Sequence, residues 1–361
     1  MEKELFALLR LGLETRTTEE ESLSDFTVMS TEQWEHVIDL ARKQGVLGIV
    51  LDGINRLEVS GEHFTGLSKQ LRLQVIGEVL QLEQRNKMQM AVMNEMAAKW
   101  QEKGCRVMVM KGQANGTLYP KPEHRNPGDI DCYLFENYAV GNEIAKASGA
   151  DVDESWYKHS VIRYKGETFE NHQYFVHTRD GKRGKRLEKE MEDELVKATS
   201  SFLPLTTYTV MPPVQWNAMF LTYHACAHFL SEGLRLKQIL DWAMFLKNCQ
   251  QDVDWEAFYA YCERNHLRRF ADAATAISAE HLGIRITAPS ITYSSPYAEK
   301  ILHSALYDDD YVFGSGEGSW HNRWHLVRNL FHHRWKYEDI YETSPWRQLW
   351  YYATGYLFKT E

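Results

Sequence analysis

The 361-residue chain predicts an α+β fold, a small mixed-sheet core flanked by helical N-terminal and C-terminal regions. Three observations carry this. Apolar residues recur at helical spacing through residues 1–103. The pattern switches at Gly104 to short apolar runs bounded by glycine, and helical periodicity returns from Pro212 onward. The expected units are therefore 1–103, 104–200 and 201–361.

In the first unit, Leu5 to Leu13 is a short amphipathic segment. Thr31 to Gln44 forms another, behind a Ser30/Thr31 cap with Glu32 and Gln33 following. A long helix is expected from about His63 to Lys103. Leu71, Val75, Val79 and Leu82 are spaced 4, 4, 3, and Met90, Met93, Ala97 and Trp100 are spaced 3, 4, 3. That is one apolar stripe. The Met-rich run from Met88 to Met96 reads as core packing rather than a binding surface.

The middle unit opens with Cys105 to Met110, a short apolar run between glycines that predicts a buried strand. Gly112 to Tyr119 fits a short helix closed by Pro120 and Pro122. Asp129 to Phe135 predicts a second strand and Asn137 to Ser148 a helix. Val161 to Tyr164 and Thr168 to Val176 flank Lys165-Gly166-Glu167, a hairpin signal. Residues 179–189 are basic and glycine-containing, a solvated loop entering a helix. Helices then follow over Pro213 to Leu230, Leu234 to Asn248 and Trp255 to His281, ahead of a tail rich in Trp, Tyr and His.

Composition narrows the function. A net charge of −9 argues against a general DNA or RNA binder, though not against a local basic patch. The five cysteines are scattered, with no CxxC pair, and read as reduced thiols. The N-terminus lacks a signal-peptide core, and no run approaches the 18 apolar residues of a membrane span. A cytoplasmic protein is expected, with no membrane partner.

Asp129 and Asp131 are the chemical signal. Alternation on a strand points both side chains to one face, with their Cα atoms about 6–7 Å apart. Two carboxylates that close repel unless a cation sits between them, and Mg2+ prefers one or two carboxylates plus substrate phosphates. Gly128 before the pair lets a backbone or phosphate approach closely. An Asp-x-Asp alone is weak. Here it opens an apolar strand and lies 18 residues after Lys111-Gly112, at the end of the preceding strand.

Val109-Met-Lys-Gly112, Leu118-Tyr-Pro120, Arg125 and Gly128-Asp-Ile-Asp131 together resemble the uncharacterised bacterial nucleotidyltransferases of the polymerase-β-like superfamily. The likeness continues through Phe169-Glu-Asn-His172, and through His224, His228, Gly233-Leu-Arg235 and Asp241. It covers roughly residues 70–280. The resemblance implies a nucleotidyltransferase core, with Asp129, Asp131 and Glu170 as catalytic metal ligands for two Mg2+ ions. One ion would grip the triphosphate; the other would lower the pKa of an acceptor hydroxyl for in-line attack on the α-phosphorus, expelling pyrophosphate. It further implies an NTP substrate, ATP being the natural guess, and nucleotide contacts from Lys111, Gly112, Arg125, Gly128, His172, His224, His228 and Arg235. Superfamily members carry Gly-Ser where this chain has Lys111-Gly112. The junction would aim backbone N–H groups and one ammonium at an anion above the sheet.

Other roles stay open for several residues. Asp151, Asp153 and Glu167, read as loop or turn positions, are rivals of Glu170 as the third acid. Arg125 either binds phosphate or pairs with a carboxylate. His224 and His228 share a helical face, for structure or for lining a cleft. Arg235, Gln238 and Asp241 share the next. Lys182, Arg183, Lys185 and Arg186 form a solvated basic stretch or steer an anion. Trp320, Trp324, Trp335, Trp346 and Trp350 are packing residues. Two other functional classes remain: a nucleotide-binding regulatory protein, and a metallohydrolase built on His224, His228 and Asp241 with zinc. The acceptor, whether small molecule, sugar, protein or RNA end, is not legible.

Overall fold

The first amphipathic segments fold as α1 (Glu2–Gly12), α2 (Ser24–Thr27), α3 (Thr31–Lys43), α4 (Leu47–Val59) and the long α5 (Lys69–Glu102). The structure is a computed structural model that describes residues 2–21, 24–59, 66–178, 181–198, 202–231, 233–308, 327–328 and 330–350. Ser30 caps α3: its Oγ accepts from Gln33 N at 3.3 Å while its N–H donates to Gln33 Oε1 at 2.8 Å. Two donors that a helix start leaves open are thereby satisfied.

Helix α4 falls within the stretch expected to be helical, though its bounds were not singled out, and it is buried over most of its circumference. It lies backbone to backbone on α1. A Cβ at Gly12 would come within 2.1 Å of Ile49 O, and one at Gly53 within 2.2 Å of Leu8 O. Only glycine fits at either crossing point.

The stripe on α5 serves two cores rather than one. Leu71, Val75 and Val79 enter a large core shared with α1, α3 and α4. Met93, Met96, Ala97 and Trp100 enter a smaller one beneath the sheet. His63, the expected start of this helix, lies outside the described residues.

The sheet contains β1 (Met108–Val109), β2 (Ile130–Tyr133), β3 (Asp151–Asp153), β4 (His159–Tyr164) and β5 (Glu167–His172), ordered β1-β2-β5-β4-β3. Only β2 and β5 run parallel. Between the strands lie α6 (Gly112–Gly116) and α7 (Tyr138–Ala147). Strand β1 is shorter than expected because Cys105 N still bonds Trp100 O at the end of α5, at 3.0 Å. Lys165 (φ 50°) and Gly166 (φ 84°) make a two-residue turn that matches strand twist and fixes the β4/β5 register.

Asp151 and Asp153 are strand residues, not loop residues. They sit on the exposed edge strand, with β4 and β5 between them and β2. Glu167 likewise opens a strand, and its Oε2 accepts from Gln89 Nε2 at 3.0 Å.

From Gly181 the basic stretch is helical, within α8 (Gly181–Lys197), which buries Leu187, Met191 and Leu195 at spacings of four. Arg183 stacks over Tyr341 at 4.5 Å and Arg186 bonds Arg264 O, while Lys182 and Lys185 remain exposed. The chain continues through α9 (Val214–Ser231), α10 (Leu236–Cys249), α11 (Trp255–Arg264), α12 (Arg268–Glu280) and α13 (Ala298–Tyr307). Trp255 to His281 is thus two helices. They break where buried Asn265 bonds Tyr261 O and Glu190, and His266 takes φ 57°.

Gln44 ties the two ends of the chain together. It donates to Ala305 O and accepts from Leu236 N, each at 2.9 Å. The large core runs without interruption from α1, α3 and α4 into α9–α13. Trp335 meets Phe229 edge-on, whereas Trp346 and Trp350 are exposed; Trp320 and Trp324 lie outside the described residues. All five cysteines are free. Among the described residues no helix is long and apolar enough to cross a membrane.

Candidate active site

Parallel pairing of β2 and β5 sets Asp131 opposite Glu170 and Tyr133 opposite His172. Alternation sends Ile130, Cys132 and Phe169 into the smaller core and leaves Asp131, Glu170 and His172 on the other face. The antiparallel register of β4 and β5 adds His159 to that face, opposite His172 with ring centroids 5.1 Å apart.

Asp131 is 2% exposed at its side chain. Its Oδ1 lies 2.8 Å from Lys111 Nζ and 3.1 Å from His172 Nε2. Glu170 lies between two imidazoles, with Oε1 3.5 Å from His159 Nε2 and Oε2 3.4 Å from His172 Nε2. Burial would raise the Glu170 carboxyl, but His172, Lys111 and His159 bring it well below the usual carboxylate range. Asp129 stands at the mouth, where partial burial and the nearby Glu170 and Asp131 carboxylates push it up.

Two groups of three or more such donors gather within 4.8 Å among the described residues. One is His159, Glu170 and His172; the other, Glu280, His281 and Glu299, lies at the surface. Asp129 and Asp131 belong to neither, so the expected three-carboxylate cluster is adjacent in register without closing on one point.

Lys111 occupies a strained backbone position, φ 38° and ψ −142°, just ahead of Gly112 at φ 40°. Such a conformation costs about 1–3 kcal/mol and persists only where the surroundings enforce it. Here the Nζ is held on both sides, by Asp131 and by His224 Nε2 at 3.1 Å. His228 Nε2 lies 3.0 Å from the same His224 nitrogen. Burial, then the charges of Lys111 and His228, hold His224 well below its ordinary value, so it meets Lys111 as an acceptor. A cavity of about 150 Å³ lies between this cluster and α9–α10, lined also by Asp129, Lys237, Gln238 and Asp241.

Arg125 lines that cavity but is already paired. Its Nε and Nη2 donate to the two oxygens of Asp241 at 2.8 and 2.7 Å, and Tyr119 Oη donates to the same carboxylate at 2.8 Å. Asp241 is therefore turned to Arg125, and among the described residues it joins no metal-binding group with His224 and His228. Arg235 caps α10 through its N–H to Gln238 Oε1 and does not line the cavity. A Cβ at Gly128 would meet no protein atom within 4 Å, so the protein's own packing does not require glycine there.

Several contributors escaped the sequence reading. Gln89 donates to Gly128 O at 2.8 Å, and Asn86 donates to Glu123 O and Arg125 O at 2.8 and 3.0 Å, fixing the loop before β2. Their signal was available: Val79, Leu82, Asn86, Gln89 and Met93 keep the stripe's 3, 4 spacing, so these are polar residues on a buried face. Lys158 is 8% exposed, and burial and the Lys111 charge lower its ammonium. Lys237 on α10 is lowered by burial and by Arg125.

No curated protein and no solved structure shows significant similarity to the chain. A family model described as uncharacterised nucleotidyltransferase matches residues 30–283, from the cap of α3 to just beyond α12. The chain belongs to this nucleotidyltransferase family and is an enzyme of that class.

Proposed function

We propose that the enzyme transfers a nucleotidyl group from a nucleoside triphosphate, ATP first among those to test, to a hydroxyl acceptor. The acceptor oxygen bonds the α-phosphorus, its proton leaves to solvent, and the bond to the β-phosphate breaks to release pyrophosphate. One observation carries the reading: Asp131, opposite Glu170 on adjacent parallel strands, lines a cleft together with Asp129. In this reading residues 104–200 are the catalytic core and the flanking helices close the cleft.

Asp129 and Asp131 suit Mg2+, which takes hard oxygen donors together with substrate phosphates. The upward push on Asp129 from its carboxylate neighbours is a repulsion that a divalent cation relieves. With Glu170 they would hold the ions, two in the reading the family suggests. Bound metal supplies charge stabilisation at the phosphoryl oxygens. Lys111 offers a point charge to the terminal phosphates. His224 and His228 shape the cleft wall, His172 stands behind it against Asp131, and Arg125 holds Asp241 and the turn around it.

Nucleotide binding tests the reading. NTP with Mg2+ at a hundredfold excess over its dissociation constant should stabilise the protein by about 2.7 kcal/mol. Asp131→Ala should remove the magnesium dependence. Unchanged melting with every NTP would sink the proposal. A second reading, nucleotide binding without turnover, rests on the Lys111 ammonium that already meets Asp131.

A further inference from the structure

We propose that His159, Glu170 and His172 form a binding site for a divalent transition-metal ion, Zn2+ being the best match, beside the Asp129–Asp131 pair. The position of this site builds on the nucleotidyl-transfer reading, but its chemistry comes from the donor set. Imidazole nitrogens suit zinc, iron, nickel and copper, whereas carboxylate, water and phosphate oxygens suit magnesium. Two imidazoles and one carboxylate therefore select against Mg2+. Three protein donors also leave coordination positions open, as in catalytic rather than structural zinc sites.

The outward contact of His172 points the same way. His172 Nδ1 lies 3.1 Å from the Tyr174 carbonyl oxygen, which only accepts, so Nδ1 carries a proton. Its Nε2 faces Asp131 Oδ1 at 3.1 Å and Glu170 Oε2 at 3.4 Å. The Tyr174 carbonyl is the outer partner that a metal-bound histidine usually keeps. His159 is 14% exposed, and its Nε2 lies 3.5 Å from Glu170 Oε1, so that all three donors fall within 4.8 Å of one another. Its Nδ1 is buried with no hydrogen-bond partner among the described residues, so no bond to the protein commits that ring to one tautomer.

The three donors stand on two paired strands whose register is set by the Lys165-Gly166 turn. A site on strands is held more closely than one on loops. The sheet would thus offer a hard oxygen site for a magnesium-bound triphosphate and, next to it with Glu170 shared between the two, a nitrogen-rich site for a borderline metal.

The test uses the full-length protein, stripped by chelator and titrated with Co2+ as a coloured substitute for zinc. One Co2+ per chain should bind with visible ligand-field absorption, be displaced by Zn2+, and resist a large excess of Mg2+. His159→Gln should weaken Co2+ binding by at least about tenfold, the lower end of what outer partners alone contribute. No visible band, equal displacement by Mg2+, or unchanged binding in His159→Gln would overturn the proposal. If the variant does not fold, nitrogen NMR of the wild-type imidazoles decides: Zn2+ should shift two Nε2 resonances, and no shift overturns it. Failure here alongside intact magnesium-dependent NTP binding leaves the proposed function standing. Loss of NTP response with the cobalt site intact sinks only the proposed function.

Discussion

Lys111 Nζ lies 2.8 Å from Asp131 Oδ1, so the cation just beyond the first strand rests on the carboxylate facing Glu170. The same ammonium reaches His224 Nε2 at 3.1 Å and sits on a backbone with φ 38°. The surroundings hold it at the point where the cleft meets the sheet.

Lys111→Ala should therefore weaken triphosphate binding about ten- to a hundredfold, the worth of a charge-assisted hydrogen bond of about 1.5–3 kcal/mol. Monophosphate binding should change far less. Calorimetric titration of both nucleotides checks this. Equal losses, or a rise in metal affinity on removing the ammonium, would instead mark Lys111 as a metal substitute in a non-catalytic site.

Arg125 is bound to Asp241 through two hydrogen bonds with both side chains largely buried, 11% and 7% exposed. Removing one partner of such a pair leaves an uncompensated charge, so Arg125→Ala should cost about 3–5 kcal/mol in urea unfolding. Tyr119→Phe, which deletes one hydrogen bond to the same carboxylate, should cost about 1 kcal/mol. A ligand-free Arg125→Ala protein as stable as wild type, but unable to hold triphosphate, would reassign Arg125 to the phosphates.

His124 supplies a pH dependence away from the cleft. Burial would lower it, but Asp52 at 2.7 Å and Glu83 at 2.9 Å raise it above the ordinary imidazole value. A raised folded value means the stabilisation is full below about pH 6.5 and is lost as pH climbs through the folded value. The urea midpoint of wild type should exceed that of His124→Gln most at pH ~6 and least at pH ~9. A difference that stays constant across that range would contradict this assignment.

The parts of the site governed by local periodicity were legible in the sequence. Alternation set Asp131 on the face opposite Ile130 and Cys132, whereas Asp129, expected as the first residue of that strand, lies just ahead of it, and the change at Gly104 located the sheet. The helix break at His266 was not legible, since no Gly or Pro marks it and a buried Asn265 does the capping. The neighbouring of the Glu170 strand and the Asp131 strand was expected, but their parallel direction was not, because it depends on how a strand from later in the chain arrives. His159 falls between these cases. The two-residue turn pairs Tyr164 with Glu167 and, counted outward, His159 with His172, so its place followed from a hairpin already recognised.

The most direct measurement of nucleotidyl transfer follows the label from one NTP carrying it at either the α- or the γ-phosphate, with Mg2+ and a cell extract. The α label should appear in an acceptor and the γ label in pyrophosphate, and both should vanish with Asp131→Asn. Transfer of the γ label to an acceptor, or labelling unchanged by Asp131→Asn, would contradict it.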